Sequence, residues 1–277
     1  MRALRRALLA AAVAAPAAVS AWAPGWAQDH NPNASLIYFD AVSNQTLDPQ
    51  EPQNNSSFSQ GVLMAVYEPL VLFDPAGNPK PGLAESYEYN ADLTVFSMRL
   101  RKGVAFHDGT AFDSAAVLRN LDRSAALGTK AGAATVEAMS QIAAVEADGT
   151  HGVRIKLKSP SGQMPYLLGF QAGMMISPAV LDGNPTAAAV KPVGAGPYRV
   201  RSFDSNVRTA MVRNDAYWNG PGQRPAVFEH HFVPDSRARL NAVRSGQANL
   251  ALIEPRQIQE AKAAGFQVQI NEKNSTW

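Results

Sequence analysis

The chain has 277 residues, 46% of them hydrophobic and 17% charged, which suits a folded globular protein of one large domain or two modest ones. Its formal net charge of +2 comes from Arg2, Arg5 and Arg6; beyond residue 27 there are 22 basic and 23 acidic residues, so the charge argues for no nucleic-acid partner. Cysteine is absent, which excludes disulfides, thiolate metal sites, cysteine nucleophiles and a lipidated N-terminal cysteine.

Residues 1–27 combine the three arginines with an apolar run from Ala7 to Val19 and small residues around Ala27, the pattern of a cleaved secretory signal peptide. Arg5-Arg6 raises the twin-arginine route, but ordinary Sec export is the expectation because paired arginines are common in basic leaders. Pro16 interrupts the run, and no later stretch approaches the ~20 apolar residues of a membrane span, so no membrane insertion is expected. An exported, unlipidated, cysteine-free chain fits the periplasm.

After a polar lead-in, Ser35 to Phe39 reads as the first strand, followed by a long loop rich in Asn, Gln, Ser and Pro. Phe58 to Tyr67 has helical spacing, with Ser56 or Ser57 as cap. Leu70 to Phe73 is a short strand, and residues 74–79 a turn. Ala84 to Tyr89 and Val95 to Arg101 alternate as a hairpin, and Ile142 to Glu146 with Val153 to Leu157 as a second; both fit one antiparallel sheet. Between them Asp113 caps a helix from Ala115 to Leu121, and residues 125–138 read as loop and helix. Met164 to Phe170 suits a short buried helix, and Ser177-Pro178 opens another. Strands are expected over Tyr198 to Phe203, Ala210 to Arg213 and Phe228 to Val233, then a helix capped by Asp235 or Ser236 with Leu240 and Val243 inward. Leu250 to Ile253, a helix from Pro255 to Ala264, and Phe266 to Ile270 complete a βαβ pattern that predicts an open, mostly parallel sheet.

Catalytic motifs are missing: no G-x-S-x-G, S-x-x-K, Walker A or H-E-x-x-H pattern occurs. Gly194-Ala195-Gly196-Pro197 lacks the third glycine and the strand-to-helix context of a dinucleotide loop, so a structural turn is expected. His230 and His231 lie in a strand and point to opposite faces, where they cannot chelate one ion together. The adjacent pair His107-Asp108 invites an acid-base reading, but consecutive residues in a tight turn need not face one another.

Certain motifs recur in one order: Thr46-Leu47-Asp48-Pro49, Tyr67-Glu68-Pro69-Leu70, Pro81-Gly82-Leu83-Ala84-Glu85-Ser86-Tyr87, Arg101-Lys102-Gly103-Val104-Ala105-Phe106-His107-Asp108-Gly109-Thr110, Pro192-Val193-Gly194-Ala195-Gly196-Pro197-Tyr198 and Asn214-Asp215-Ala216-Tyr217-Trp218. From about Ser35 to Trp277 the chain resembles the extracytoplasmic solute-binding proteins of the peptide, dipeptide and nickel ABC importers. The resemblance implies an α/β, periplasmic-binding-protein-like first lobe: a mixed sheet with helices plus an inserted smaller α+β subdomain. Residues 28–73 with 191–270 would form the larger subdomain, 74–190 the inserted one, and 271–277 the start of a crossing to a second lobe that the sequence lacks.

That resemblance implies a non-enzymatic periplasmic receptor that closes two lobes on a di- or oligopeptide-like solute and hands it to an inner-membrane ABC permease, working as a monomer without a cofactor. Ser43, Asn44, Gln45 and Thr46 are candidate ligand contacts, since amides and hydroxyls can bond peptide groups; an ordinary solvated loop is the competing reading. Asn55 and Gln60 flank the first helix and are candidates beside a capping role. Met174 is a candidate for an adaptable apolar wall or for core packing, and Thr276 and Trp277 for ligand stacking or a plain hinge. A metal-chelate or haem carrier of the same fold is the first alternative, although the loop offers none of the aromatic, thioether or arginine contacts expected of a nickel-chelate protein. A periplasmic peptidase or other hydrolase is the second.

Overall fold

The computed structural model describes residues 31–54, 60–220, 222 and 224–270. The leader, the proposed cap Ser56 or Ser57, and Asn55, Thr276 and Trp277 lie outside these residues. In chain order the elements are β1 (Ser35–Asp40), α1 (Gln60–Val66), β2 (Val71–Phe73), β3 (Pro79–Pro81), β4 (Ala84–Tyr89), β5 (Val95–Leu100), α2 (Ser114–Leu127), α3 (Ala133–Gln141), β6 (Ile142–Ala147) and β7 (Gly152–Leu157). They continue with α4 (Met164–Leu167), α5 (Pro178–Gly183), β8 (Tyr198–Asp204), β9 (Arg208–Arg213), β10 (Val227–Phe232), α6 (Ser236–Arg244), β11 (Leu250–Ala251) and α7 (Ile258–Ala263).

The alternating hairpins form a four-stranded antiparallel sheet of order β4-β5-β7-β6. Register places Tyr89, Phe96, Ile155 and Val145 in one cross-strand row on the inward face, and Glu88, Ser97, Arg154 and Glu146 on the outward one. Phe96, Leu100 and Ile155 are fully buried and pack with Val117 and Leu121 of α2. Asp113 caps α2 by accepting from the Ala116 N–H at 2.9 Å. The helix runs on to Leu127, past the expected end at Leu121, until Gly128 takes a positive φ of 54°. The pair β2-β3 uses Pro79–Pro81, a strand that begins at the last residue of the expected turn over 74–79 and was not anticipated.

The second sheet has the order β11-β1-β10-β9-β8. Here the expectation of a mostly parallel sheet is corrected. Only β1 pairs in parallel, with β10 and β11, whereas β8, β9 and β10 are antiparallel neighbours. The reason is connectivity: β8 and β9 join through a tight turn, and only the step from β10 through α6 to β11 is a βαβ crossover. Asp235 rather than Ser236 caps α6, accepting from the Ala238 N–H at 2.6 Å. Leu240 is buried as expected, but Val243 is only partly so.

Two further expectations fail at the sheet edge. The strand Leu250 to Ile253 shortens to β11, and Phe266 to Ile270 forms no strand. Alternating side chains permit a strand, but a ladder needs a partner within bonding distance. Phe266 and Val268 instead line a cavity of about 440 Å³ together with Leu240, Leu252 and Ala261.

Gly194 and Gly196 join the two parts of the core. A Cβ at Gly194 would lie 2.1 Å from the Val66 carbonyl oxygen, and one at Gly196 2.6 Å from it. Only glycine allows that approach, which the Gly196 N–H uses to donate to Val66 O at 2.9 Å. No helix among the described residues is long and apolar enough to cross a membrane.

Candidate functional site

The carboxyl ends of β1, β10 and β11 emerge on one side of their sheet, where open α/β sheets place their ligand crevices. Asp40 ends β1 in a buried position, with one oxygen accepting from the Ala41 N–H at 2.6 Å and the other 3.1 Å from His230 Nε2. Tyr38 lies beside them; burial, and then the Asp40 charge, push its phenol above the ordinary range. Buried Arg239 ties the neighbouring strand ends together. Its Nε donates to Leu252 O at 2.6 Å, and Nη1 to Val233 O at 2.7 Å and Pro234 O at 2.9 Å.

The loop from Ala41 to Asn54 leaves β1 at this point. At its near end the Ser43 hydroxyl donates to Asn206 Oδ1 at 2.7 Å, the Asn206 N–H to Asn44 O at 3.1 Å, and the Ser205 hydroxyl to Gln45 O at 2.8 Å. Asn206 turns the β8–β9 connection with φ 59°, a conformation that asparagine tolerates better than most residues. Midway, the Leu47 N–H donates to Ala189 O at 2.8 Å while its side chain is fully buried.

The far end is seated on α2. Both carboxylate oxygens of buried Asp48 accept from the Arg123 guanidinium, Oδ1 at 3.2 Å, and Arg123 Nη1 also donates to Gln50 Oε1. Gln50 Nε2 donates to the Ser124 hydroxyl at 2.5 Å, and Gln50 O accepts from the Gly132 N–H at 2.9 Å. Gln171 closes the loop by donating from Nε2 to Asn54 O at 2.6 Å.

The structure therefore brings Ser43, Asn44, Gln45 and Thr46 together on one loop. Asn44 and Thr46 are buried, with the Thr46 hydroxyl accepting from the Asp48 N–H at 3.2 Å, and Gln45 is the one with an exposed side chain. Gln60 stands apart as the partly exposed first residue of α1. Met174 is fully buried in the core that holds Leu47 and Leu63. Sequence reasoning missed Asp48, Gln50, Asn54, Arg123, Ser124 and Gln171. One signal was present: Asn120 and Ser124 share the helical face of Val117 and Leu121, so polar groups had to be seated inside.

The His107-Asp108 pair is a scaffold turn. His107 Nε2–H donates to Gly196 O at 2.9 Å, while Asp108 Oδ2 accepts from the Ser177 hydroxyl at 2.6 Å, so the side chains serve different partners. Burial lowers the imidazole to about 4, which leaves it neutral. His230 and His231 lie on opposite faces of β10; His231 Nε2 meets Glu229 at 2.8 Å. No group of three or more His, Asp or Glu side chains suited to a metal occurs among the described residues.

Residues 78–277 match the family described as bacterial extracellular solute-binding proteins, family 5 Middle. The chain belongs to that family. The glutathione-binding protein GsiB of Escherichia coli (strain K12) is 31% identical over 210 residues, which cover 76% of this chain and 40% of GsiB. The chain thus spans about 40% of the length of the curated relatives it matches. Among solved structures, the nickel ABC transporter of Bacillus halodurans is 26% identical with a TM-score of 0.70, over 83% of this chain and 45% of that one. The periplasmic binding protein DppA of Helicobacter pylori, in complex with the peptide STSA, has a TM-score of 0.75 over 84% of this chain and 49% of its own. At 21% identity that likeness speaks for the fold alone.

Proposed function

We propose that the chain is the first-lobe part of a periplasmic solute receptor, which binds a di- or oligopeptide-like ligand by closing two lobes and delivers it to an inner-membrane ABC permease. The observation that carries this reading is the loop Ala41 to Asn54, a polar surface at the carboxyl end of a parallel strand, hydrogen-bonded from beneath by separate elements. A loop held this way presents the exposed Gln45 amide to a ligand's peptide groups at little ordering cost. Glutathione is itself a tripeptide, so the relationship to GsiB supports the same ligand class.

Within this reading Gln45 meets the solute, Ser43, Asn44 and Thr46 hold the backbone that presents it, and Met174 supports the wall from below. Asn55, Gln60, Thr276 and Trp277 complete the proposed lining. Residues 28–73 and 191–270 make the larger subdomain, 74–190 the inserted one, and residues 1–27 are removed on export. Binding involves no bond making or breaking.

Native mass spectrometry of the full-length protein, purified without denaturation, tests the reading. A co-purified small peptide is the expected result, with calorimetric binding of reduced glutathione as the direct probe. Release of cleaved products from a supplied peptide would replace it with a hydrolase. The 277-residue chain alone is expected to bind reduced glutathione weakly.

A further inference from the structure

Arg123 and Arg119 sit one turn apart on α2 and do different work. Arg119 pairs with Asp182 at 2.6 Å in the open, the two side chains being 40% and 64% exposed. Arg123 is turned inward, its side chain 13% exposed and that of its partner Asp48 2%. A bidentate guanidinium fixes the plane of a carboxylate as well as its distance. That fixed carboxylate then organises the loop, since Asp48 Oδ1 accepts from the Gln50 N–H at 3.0 Å and the Asp48 carbonyl from Asn54 Nδ2 at 2.6 Å. Arg123 also holds the Gln50 side chain, whose amide reaches Ser124. Among the side chains that hold the turn from Thr46 to Asn54, Arg123 is the one that grips both Asp48 and Gln50.

We infer that Arg123 is the positioning residue of the far half of the solute-facing loop: it touches no solute, yet its fork fixes the segment Asp48 to Asn54, which is joined to Gln45 through the Thr46 hydroxyl bonded to the Asp48 N–H. This inference rests on the proposed receptor function for its ligand-binding consequence, while its conformational part stands without a ligand. If Arg123 is lost, Asp48 is left buried without its cation and the loop must open to hydrate it. The closed, binding-competent loop then becomes a fraction of the population, and apparent affinity falls by that fraction.

Hydrogen exchange on the ligand-free 277-residue chain tests the conformational part. In Arg123→Met the amides of Asp48, Gln50 and Asn54 are expected to exchange about tenfold faster, while those of Phe96 and Ile155 in the four-stranded sheet keep their rates. Arg123→Lys, which keeps the charge but not the fork, should fall between, and Arg119→Met should leave the loop unchanged. Uniform acceleration throughout the chain would reduce Arg123 to a general stability residue, and unchanged loop exchange would remove its hold on the loop; either overturns the inference.

The ligand-binding part is read on the full-length protein with reduced glutathione. There Arg123→Met should lower the association rate constant about tenfold, with dissociation nearly unchanged, because the bound loop is the same loop. Global unfolding to the same extent would slow association in the same way, so the rates are read at a temperature where Phe96 and Ile155 keep their parent exchange rates and only the loop has opened. Failure of the unmutated protein to bind glutathione would count against the proposed ligand, and the exchange result would still decide the role of Arg123.

Discussion

The inward face of the four-stranded sheet and the carboxyl end of the five-stranded sheet are held by different chemistry. The inward face of the four-stranded sheet is closed by Phe96, Leu100, Val153 and Ile155, none more than 1% exposed, with almost no polar group among them. At the carboxyl end of the five-stranded sheet the buried groups are Asp40, His230, Thr209 and Arg239, each at or below 5% exposure. Apolar packing is tolerant of direction, whereas a buried polar group is stable only in the geometry of its partners. The first sheet can therefore serve as a scaffold, and the second fixes the exit of the loop that carries the candidate site.

Substitutions that separate volume from pairing probe this contrast most directly. Phe96→Ala opens a hole in the apolar sheet between Tyr87 and Tyr89, whose rings lie 5.6 and 4.9 Å from it. It is expected to cost about 3–5 kcal/mol in denaturant unfolding. Arg239→Met keeps the volume but strips the donors from Leu252, Val233 and Pro234, with an expected cost of about 3 kcal/mol. If the methionine variant were as stable as the parent, pairing would not be what holds the second sheet's end.

A third test concerns the junction between the sheets. Burial pushes the Glu68 carboxyl up from 4.5 to about 7, against the hydrogen bond it accepts from the Tyr217 hydroxyl at 2.8 Å. A raised folded pKa makes Glu68 most stabilising below pH 4.5, and that contribution is lost as pH rises through 7. His107 has the reverse sign: lowered by burial from 6.5 to about 4, it supports folding above pH 6.5 and loses that support as pH falls through 4. The two oppose each other across their shared window. Glu68→Gln is expected to gain about 1–3 kcal/mol at pH 8, and to leave a stability that rises from pH 4 to 6.5 and then levels. A difference between parent and variant that stays flat from pH 5 to 8 would exclude Glu68 as its source.

The contrast also explains what the sequence could reveal. The antiparallel sheet was legible because its hairpin signals are local: alternation in Val95–Leu100, a cap at Asp113, a tight turn at Asp148-Gly149. The polar seat of the loop was not. Asp48 and Arg123 are 75 residues apart, Asn54 and Gln171 117, Ser43 and Asn206 163, and no window of periodicity joins such pairs. The same limit produced the false strand at Phe266 to Ile270, where the alternation is local but a ladder depends on a partner elsewhere in the chain. Family motifs located the loop through Thr46-Leu47-Asp48-Pro49, yet they could not tell which of its side chains turn inward.

The outward face of the four-stranded sheet should be the least sensitive region. Lys156 Nζ reaches Glu146 Oε1 at 2.5 Å, and Arg154 reaches Asp148 at 2.8 Å, but these side chains are between 38% and 50% exposed. Water and salt screen such pairs, and holding a long lysine in one rotamer costs entropy that offsets most of the Coulomb gain. Lys156→Met is therefore expected to change stability by less than about 1 kcal/mol, and by less still at high salt. The lysine stem lies on a β-strand surface where methionine can occupy the same space, so lost packing does not confuse the comparison. A cost close to that of Arg239→Met would mean that exposed charge pairs support this sheet as strongly as buried ones support the other, and the division between apolar scaffold and polar anchor would fall.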